Sequence, residues 1–344
     1  MKKIVRCVLT LFLIMLLVSC SEKEQKILNV YNYNDYMAQE LLDQFEKEYD
    51  IKINYDTYMT NEELYYKLKQ GEFNYDIIFP SDYMVERMIK EDMLSEINIK
   101  KLSNIENIGS TFLGLSYDSE NKYSVPYLWG TLGIIYNKKM VKENVDSWNI
   151  LWNEKYKKEI LMYDSLRDAL GLTLKKLGYS MNTLNIEELE AAKKELINQK
   201  PLIKAYVLDE VKDMMIENKA SIAVVYSGEG MLMMKKNPDL AYVIPKEGTN
   251  LWFDTIAIPK ISKNKKEANL FIDFLLRAKS GKAIVDYIGY STPNNATYAL
   301  LDEKTKSVSG AYPDKNTIEN SEVFIDLGDF LKEYNRVWTE IKVH

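Results

Sequence analysis

Short apolar runs alternate along this chain with longer segments in which apolar residues recur every three or four positions. The first pattern is typical of buried strands, and the second of helices that pack one face on a sheet. In the first part of the chain the pattern predicts strands at residues 27–31, 51–58 and 75–79 and helices at 37–49 and 62–70. This order of strands and helices is typical of a parallel sheet covered by helices.

The alternation continues through the rest of the chain, without an internal repeat or a long linker. It predicts further strands at 134–136, 160–163, 203–207, 222–226, 242–244 and 255–258, and further helices at 168–177, 186–198, 210–218 and 265–276. Asn61 is expected to cap the helix at 62–70, and Gly71 to end it. We therefore predict an α/β fold built on largely parallel sheets.

The N-terminus has the features of an export signal. Three basic residues precede an apolar run at 8–18, and the sequence Leu-Val-Ser-Cys then ends at Cys20. The apolar run is shorter than the ~20 residues that a membrane-spanning helix needs. We predict a signal peptide over 1–19, lipidation of Cys20 because the site resembles a bacterial lipobox, and a flexible tether over 20–26. A plain secretory signal, with Cys20 unmodified, is the alternative.

The composition is that of a soluble globular protein, with 46% hydrophobic and 28% charged residues among 344. Single hydrophobic cores stop growing at about 250–300 residues, so two lobes are expected. Residues 1–19 carry three basic side chains and no acid, and their removal takes the formal net charge from −6 to −9. An acidic surface of this kind disfavours nucleic acid as a partner.

Histidine and cysteine, on which many enzymes rely, are almost absent from the mature chain. The one histidine is the terminal His344, and the two cysteines are Cys7 and Cys20. The sequence has no clustered metal-ligand motif, and the two glycines at 227–230 are too weak a signal for a phosphate loop. We predict no catalytic residue, no cofactor and no metal. A glycosidase-like enzyme is the less favoured alternative, because carboxylates near aromatic residues also occur in glycosidases.

Aromatic, hydroxyl and acidic residues recur where the predicted strands begin or end, which is where open parallel sheets bind ligands. Each aromatic residue taken singly has packing at a strand end as its alternative role. Aromatic faces together with carboxylates suit an organic cation, because ring faces attract positive charge and carboxylates accept hydrogen bonds from ammonium groups. A sugar, which also stacks on aromatic rings, is an alternative ligand. A surface adhesin or structural lipoprotein is a third alternative.

Six segments resemble one family in particular. They are VYNYNDY at 30–36, NEELY at 61–65, YDIIFPS at 75–81, SVPYLWGT at 124–131, WFDTIAIP at 252–259 and GYSTPN at 289–294. In this order they are similar to the spermidine/putrescine-binding proteins of bacterial ABC-type polyamine importers, and the resemblance covers nearly the whole chain from about residue 27 to about residue 326. The predicted function is therefore capture of spermidine or putrescine by hinge closure and delivery to an ABC importer.

The resemblance implies the two-lobed periplasmic-binding-protein fold of the type II kind, in which each lobe is a mostly parallel sheet flanked by helices. The ligand is expected in the cleft between the lobes. The implied divisions are 27–132 with 255–298 for the first lobe, 136–250 with 303–344 for the second, and crossing segments near 133–135, 251–254 and 299–302. The implied partners are a permease and its ATPase, and the protein is expected to be a monomer, lipid-anchored outside the cytoplasm at a cell surface or in a periplasm.

The resemblance also implies a set of polyamine-binding residues. They are Tyr33, Asn34, Tyr36, Ser81, Tyr83, Asp168, Tyr226, Trp252, Asp254 and Tyr290. Asp254 is assigned to one ammonium group and Asp168 to another amine. The rings of Tyr33, Tyr226, Trp252 and Tyr290 are expected to enclose the methylenes and the cationic nitrogens. Tyr36, Ser81 and Tyr83 are expected to accept or relay hydrogen bonds.

The chain departs from the family pattern at four positions. Tyr33 and Tyr226 stand where members often have tryptophan, which is the better host for a cation. Ser165 replaces an acid found in some members, although Asp164 is adjacent, and Phe324 replaces a glutamine. Asp164, Ser165 and Phe324 are therefore further candidates for contacts to the distal amine. The sequence does not favour putrescine over spermidine.

Overall fold

A computed structural model describes residues 25–71, 73–306, 310, 312–313 and 315–344. The predicted signal peptide, Cys20 and the tether up to residue 24 lie outside the described residues. Within the part that is described, every helix is too short or too polar to cross a membrane.

The described chain forms nine strands. They are β1 (Lys26–Tyr33), β2 (Ile51–Tyr58), β3 (Ile77–Ile78), β4 (Ser124–Asn137), β5 (Ile160–Tyr163), β6 (Ile203–Val207), β7 (Ile222–Tyr226), β8 (Leu240–Val243) and β9 (Leu251–Ala257). The α-helices are α1 (Gln39–Tyr49), α2 (Asn61–Gln70), α3 (Asp82–Lys90), α4 (Leu166–Lys176), α5 (Ile186–Gln199), α6 (Glu210–Ile216), α7 (Ser227–Lys236), α8 (Lys265–Leu275), α9 (Ala278–Ile288), α10 (Asn295–Ala299), α11 (Glu303–Lys306), α12 (Lys315–Asn320) and α13 (Leu331–Val343). Short 3-10 turns connect several of them.

The strands join in the order β2-β1-β3-β9-β4-β7-β5-β6, and β8 pairs with β4. In the first half of this sheet β1 runs parallel to β2 and β3. One face packs Leu28, Val30 and Ile77 against Phe45 of α1 and Phe271 of α8. The other face packs against α2 and α3. The predicted β-α-β-α-β unit is therefore present.

The second half is organised around β5, which runs parallel to β6 and β7. Its core contains Ile160, Leu170, Leu196 and Tyr334, so α4, α5 and α13 cover one face. The long strand β4 belongs to both halves, because it pairs antiparallel with β9 and then with β7 and β8. Parallel strands thus form the outer part of each half, and β4, β8 and β9 form an antiparallel junction between them.

Several predicted elements agree with the structure residue for residue, namely the strands at 51–58, 160–163, 203–207 and 222–226. The pattern predicted only residues 134–136 of β4. All but one of its fourteen residues are buried, so no alternation of polar and apolar residues marks its length. Seven of the α-helices were not predicted, namely α3, α7, α9, α10, α11, α12 and α13.

The capping prediction at α2 was half right. Gly71 ends the helix in the left-handed conformation at φ 70°. The N-cap is Thr60, whose hydroxyl accepts a hydrogen bond from the Glu63 amide at 3.1 Å, and not Asn61. Asn61 lies inside the helix, and its side chain is used elsewhere.

Candidate ligand-binding site

Asp254 is a buried carboxylate at the junction of the two halves. It lies on β9, and Ser81 forms an isolated bridge with it just beyond β3. Its Oδ1 accepts a hydrogen bond from the Ser81 hydroxyl at 2.6 Å, and its Oδ2 accepts one from the Tyr36 hydroxyl. Burial raises its pKa to about 6, against the hydrogen bonds from Ser81 and Tyr36, which lower it. A cation beside this group would favour its charged form.

Asn61 holds Ser81 in place. The Asn61 Nδ2 donates to the Ser81 hydroxyl at 3.0 Å, and the Ser81 amide donates to the Asn61 Oδ1 at 3.1 Å. The Tyr33 hydroxyl lies 3.1 Å from the same Ser81 hydroxyl. Tyr33, Tyr36, Ser81 and Asp254, all predicted as site residues, are therefore joined in one hydrogen-bonded group.

Asp168 is a second buried carboxylate, in the first turn of α4. Its amide donates to the hydroxyl of the N-cap residue Ser165 at 3.4 Å, and its Oδ2 accepts from the Tyr226 hydroxyl at 2.9 Å. Its Oδ1 is buried and has no hydrogen-bond partner among the described residues. Burial is also the largest influence on its pKa, which it raises. An unpaired acceptor in such a position costs free energy until a donor reaches it.

A row of aromatic rings connects the two carboxylates. Ring centroids are 5.8 Å apart between Tyr36 and Tyr290, 4.8 Å between Tyr290 and Trp252, and 5.8 Å between Trp252 and Tyr226. Tyr36 at one end bonds Asp254, and Tyr226 at the other end bonds Asp168. We call these four rings the aromatic row. An apolar wall with an acid at each end suits an extended organic molecule with a cation at each end.

Comparison with known proteins identifies the family. Residues 40–312 match the bacterial extracellular solute-binding proteins. The chain belongs to this family. The spermidine/putrescine-binding periplasmic protein of Salmonella typhimurium is 37% identical over 314 residues, which cover 91% of this chain and 90% of that protein.

Comparison with solved structures shows which fold the chain has. The spermidine/putrescine ABC transporter substrate-binding protein PotD of Streptococcus pneumoniae superimposes with a TM-score of 0.84 at 43% identity, covering 92% of this chain and 99% of that one. A Treponema pallidum lipoprotein, TpPotD, gives a TM-score of 0.84 at 26% identity, covering 93% and 100%. This solute-binding protein therefore has the two-lobed periplasmic-binding-protein fold. Its relatives are not enzymes but substrate-binding proteins of transport systems.

Three other predicted residues of the solute-binding protein have contacts outside the aromatic row. The Tyr83 hydroxyl donates to Glu62 at 3.1 Å, and its ring lies 6.0 Å from the Arg167 guanidinium. Asn34 is exposed, and the structure gives its side chain a contact of 3.5 Å with the neighbouring Asp35. Asp164 forms an ion pair with Lys342 at 2.7 Å.

Phe324 is buried under Arg167, with the guanidinium 4.3 Å from the ring centroid. The same guanidinium donates to the Ile325 carbonyl at 3.1 Å and to Asn182 at 2.8 Å. Phe324 therefore contributes packing at this point, where a glutamine would contribute polar atoms. Ser165 serves as the N-cap of α4, so its hydroxyl is engaged with Asp168.

Two buried acids near the site were not singled out from the sequence. Asp82 accepts hydrogen bonds from the amides of Phe253 and Tyr83, and burial raises its pKa to about 8. Burial raises the pKa of Glu229, at the start of α7, to about 7. Acidic residues after a buried strand or inside a helix are common on protein surfaces, so only the fold distinguishes these two. Together with Asp168 and Asp254 they make the site acidic.

The described residues contain no group of three or more histidine, cysteine, aspartate or glutamate side chains arranged to hold a metal ion. The acidic character of the site is thus distributed along an apolar wall. Such an arrangement matches an organic cation better than a single metal ion, which needs several ligands around one point.

Proposed function

We propose that this solute-binding protein captures a polyamine, spermidine or putrescine, and delivers it to an ABC importer. The observation that carries the proposal is the aromatic row with one buried carboxylate at each end. Putrescine and spermidine are linear chains with an ammonium group at each end, so they match this arrangement. The names of the relatives in Salmonella typhimurium and Streptococcus pneumoniae support the same ligand class.

Each part of the site has a defined role in the proposal. One ammonium donates to Asp254, whose other contacts to Tyr36 and Ser81 fix its orientation. The opposite amine donates to the free Oδ1 of Asp168. The methylenes lie along the rings of the aromatic row, which also attract the charged nitrogens. Charge-assisted hydrogen bonds of this type contribute about 1.5–3 kcal/mol each.

Capture is proposed to occur by hinge closure of the two lobes. The first lobe comprises 27–132 with 255–298 and the second 136–250 with 303–344, with crossings near 133–135, 251–254 and 299–302. The support is that β4 and β9, which are adjacent and antiparallel, are shared by the two halves of the sheet. A bend of these two strands would move one half relative to the other without breaking either core.

The protein is proposed to act as a monomer outside the cytoplasm, anchored by lipid on Cys20, with a permease and an ATPase as partners. The lipobox-like sequence before Cys20 supports the anchor, and the Treponema pallidum relative is itself described as a lipoprotein. Mass spectrometry of the mature N-terminus tests it. A diacylated residue 20 supports the anchor, and an unmodified Cys20 contradicts it.

Isothermal titration calorimetry tests the ligand class. The body of the protein, starting near Ser21, is unfolded and refolded to remove any bound ligand. It is then titrated with putrescine, cadaverine, spermidine and spermine, and with an uncharged sugar as control. Saturable binding of one or two polyamines without binding of the sugar supports the proposal. Binding of the sugar alone contradicts the proposal, and so does the absence of a binding signal for every amine.

A further inference from the structure

Gly228 lies where a side chain of any size would collide with the aromatic row. It is the second residue of α7 and is buried. A Cβ atom added to it would lie 1.9 Å from Cδ1, 2.3 Å from Cε1 and 2.6 Å from Cγ of Tyr290. Real Cβ atoms essentially never approach other heavy atoms closer than 3.0 Å. The Tyr290 ring therefore lies directly on the backbone of α7.

The backbone of the opposing segment also approaches α7 closely. Gly289 ends α9 at φ 85°, and a Cβ there would lie 3.1 Å from the Gly228 carbonyl oxygen and 3.1 Å from Cγ of Leu232. Two glycines thus face each other across the contact. Because α7 follows β7 of the second half and α9 packs in the core of the first, this contact joins the two halves of the molecule.

The position of Tyr290 in turn sets the position of its neighbours. Its centroid is 4.8 Å from that of Trp252 and 5.8 Å from that of Tyr36. Trp252 also packs on the backbone of Gly130, where a Cβ would be 2.6 Å from the indole Cζ2, so this side of the ring is closed. A displacement of the Tyr290 ring is therefore transmitted to the wall between Asp254 and Asp168.

We propose that Gly228 is a positioning residue for ligand binding. Because it has no side chain, the Tyr290 ring packs directly on the backbone of α7, and this contact sets the closed arrangement of the aromatic row. The proposal rests on the proposed function and adds a residue that has no side chain to offer a ligand. It gives a role to the short glycine-containing segment at 227–230, which is too weak a motif for phosphate binding.

The test is the variant Gly228→Ala, titrated with putrescine and spermidine beside the wild-type protein. Alanine favours the helical conformation more than glycine does, so α7 itself is not weakened by the change. Overpacking at Tyr290 is expected to weaken polyamine binding about tenfold or more. Lys235→Ala, an exposed change on the same helix, is the matched control and is expected to bind like the wild-type protein.

A double-mutant cycle separates positioning from a general structural effect. In the Tyr290→Ala background the ring that meets the new methyl group is gone, so Gly228→Ala is expected to change affinity less than about twofold further. Equal loss in both backgrounds overturns the proposal, and so does wild-type affinity in Gly228→Ala alone. Both of those outcomes leave the proposed function intact. Failure of the wild-type protein to bind any polyamine overturns the proposed function and this inference with it.

Discussion

Two opposing influences act on the carboxylate of Asp254. Its carboxylate is buried, yet its hydrogen bonds from Tyr36 and Ser81 favour the charged form, and burial still raises its pKa to about 6. The ligand-free protein therefore holds a charge that lacks a cationic partner. In the proposed function an ammonium group would supply that partner, and the free energy that burial of the Asp254 charge costs would then favour cations over neutral ligands.

Asp254→Asn is expected to weaken polyamine binding by about tenfold to hundredfold, because a charge-assisted hydrogen bond is replaced by a neutral one. Asp35→Asn is the matched control, since Asp35 is exposed and carries the same change of charge. It is expected to alter the affinity less than about twofold. Calorimetry measures both variants. Equal, small losses would remove Asp254 from the site.

The pH dependence of binding follows from the raised pKa of Asp254. The charged form that an ammonium needs is lost as the pH falls through about 6, so affinity is expected to fall about tenfold per pH unit below that value. Alkyl ammonium groups remain charged over this range. For the ligand-free protein the sign is opposite. A raised carboxyl pKa stabilises the fold at low pH, and that contribution is lost as the pH rises to about 6.

Titrations at pH 7.5 and pH 5.0 test this, each in two buffers with different ionisation enthalpies. At pH 5.0, below the pKa of Asp254, the binding of polyamine is expected to release protons to the buffer, and at pH 7.5 far fewer. An affinity that stays constant from pH 7.5 to pH 5.0 would show that Asp254 does not bind the ammonium in its charged form.

At the scale of single elements, two neighbouring residues at the start of α2 make different kinds of contact. Thr60 caps α2, whereas Asn61 reaches across to hold Ser81. Likewise Ser165 caps α4 and thereby fixes the turn that presents Asp168. Helix N-termini in this protein thus position polar side chains at the junction of the two halves.

The two roles at α2 predict two different outcomes. Thr60→Ala is expected to lower the free energy of unfolding by about 1 kcal/mol, with polyamine affinity unchanged. Asn61→Ala removes both hydrogen bonds to Ser81, so it is expected to weaken binding about fivefold or more. Chemical denaturation and calorimetry on both variants check this. A loss of affinity in Thr60→Ala as large as that in Asn61→Ala would show that the two residues act only through stability of the helix.

Ion pairs and hydrogen bonds also connect the two halves of the molecule outside the aromatic row. Lys90 of α3 forms an ion pair with Asp326 at 3.3 Å, and the Asp326 amide donates to Glu86 at 3.0 Å. The adjacent Ile325 accepts a hydrogen bond from Arg167 of α4. The chain between α12 and α13 is therefore attached to helices of both halves. Exposed or half-buried contacts of this kind contribute about 0–1 kcal/mol each, so they would oppose the proposed hinge motion only weakly.

Binding of ligand is expected to stabilise and compact the whole molecule. At a free putrescine or spermidine concentration of about 100 Kd the free energy of unfolding should rise by about 2.7 kcal/mol, and the thermal midpoint by several degrees. Small-angle X-ray scattering should show a smaller radius of gyration with the ligand than without it. Asp254→Asn at the same ligand concentration should show both changes to a smaller extent, with a rise in the free energy of unfolding of about 0.4–1.4 kcal/mol for affinities a hundredfold to tenfold weaker. A thermal shift without compaction would contradict hinge closure while supporting binding.

Local sequence determined much of this protein. The periods of apolar residues predicted all or part of each strand in the described residues and six of the thirteen α-helices, because burial of one face depends only on spacing along the chain. The resemblance to one family implied five site residues that hydrogen bonds join in the structure: Tyr36 and Ser81 bond Asp254, and Tyr226 bonds Asp168. Asn34 and Asp164, which the same resemblance suggested, have contacts elsewhere.

Tertiary structure alone decided the rest. The hydrogen bond between Tyr36 and Asp254 joins residues 218 positions apart, and no local pattern encodes such a distance. The antiparallel pairing of β4 with β9 and the burial of Asp82 and Glu229 are likewise results of packing between distant segments. Gly228 shows the same principle. Its residue type is visible in the sequence, but the need for glycine comes from the Tyr290 ring that the fold brings against it.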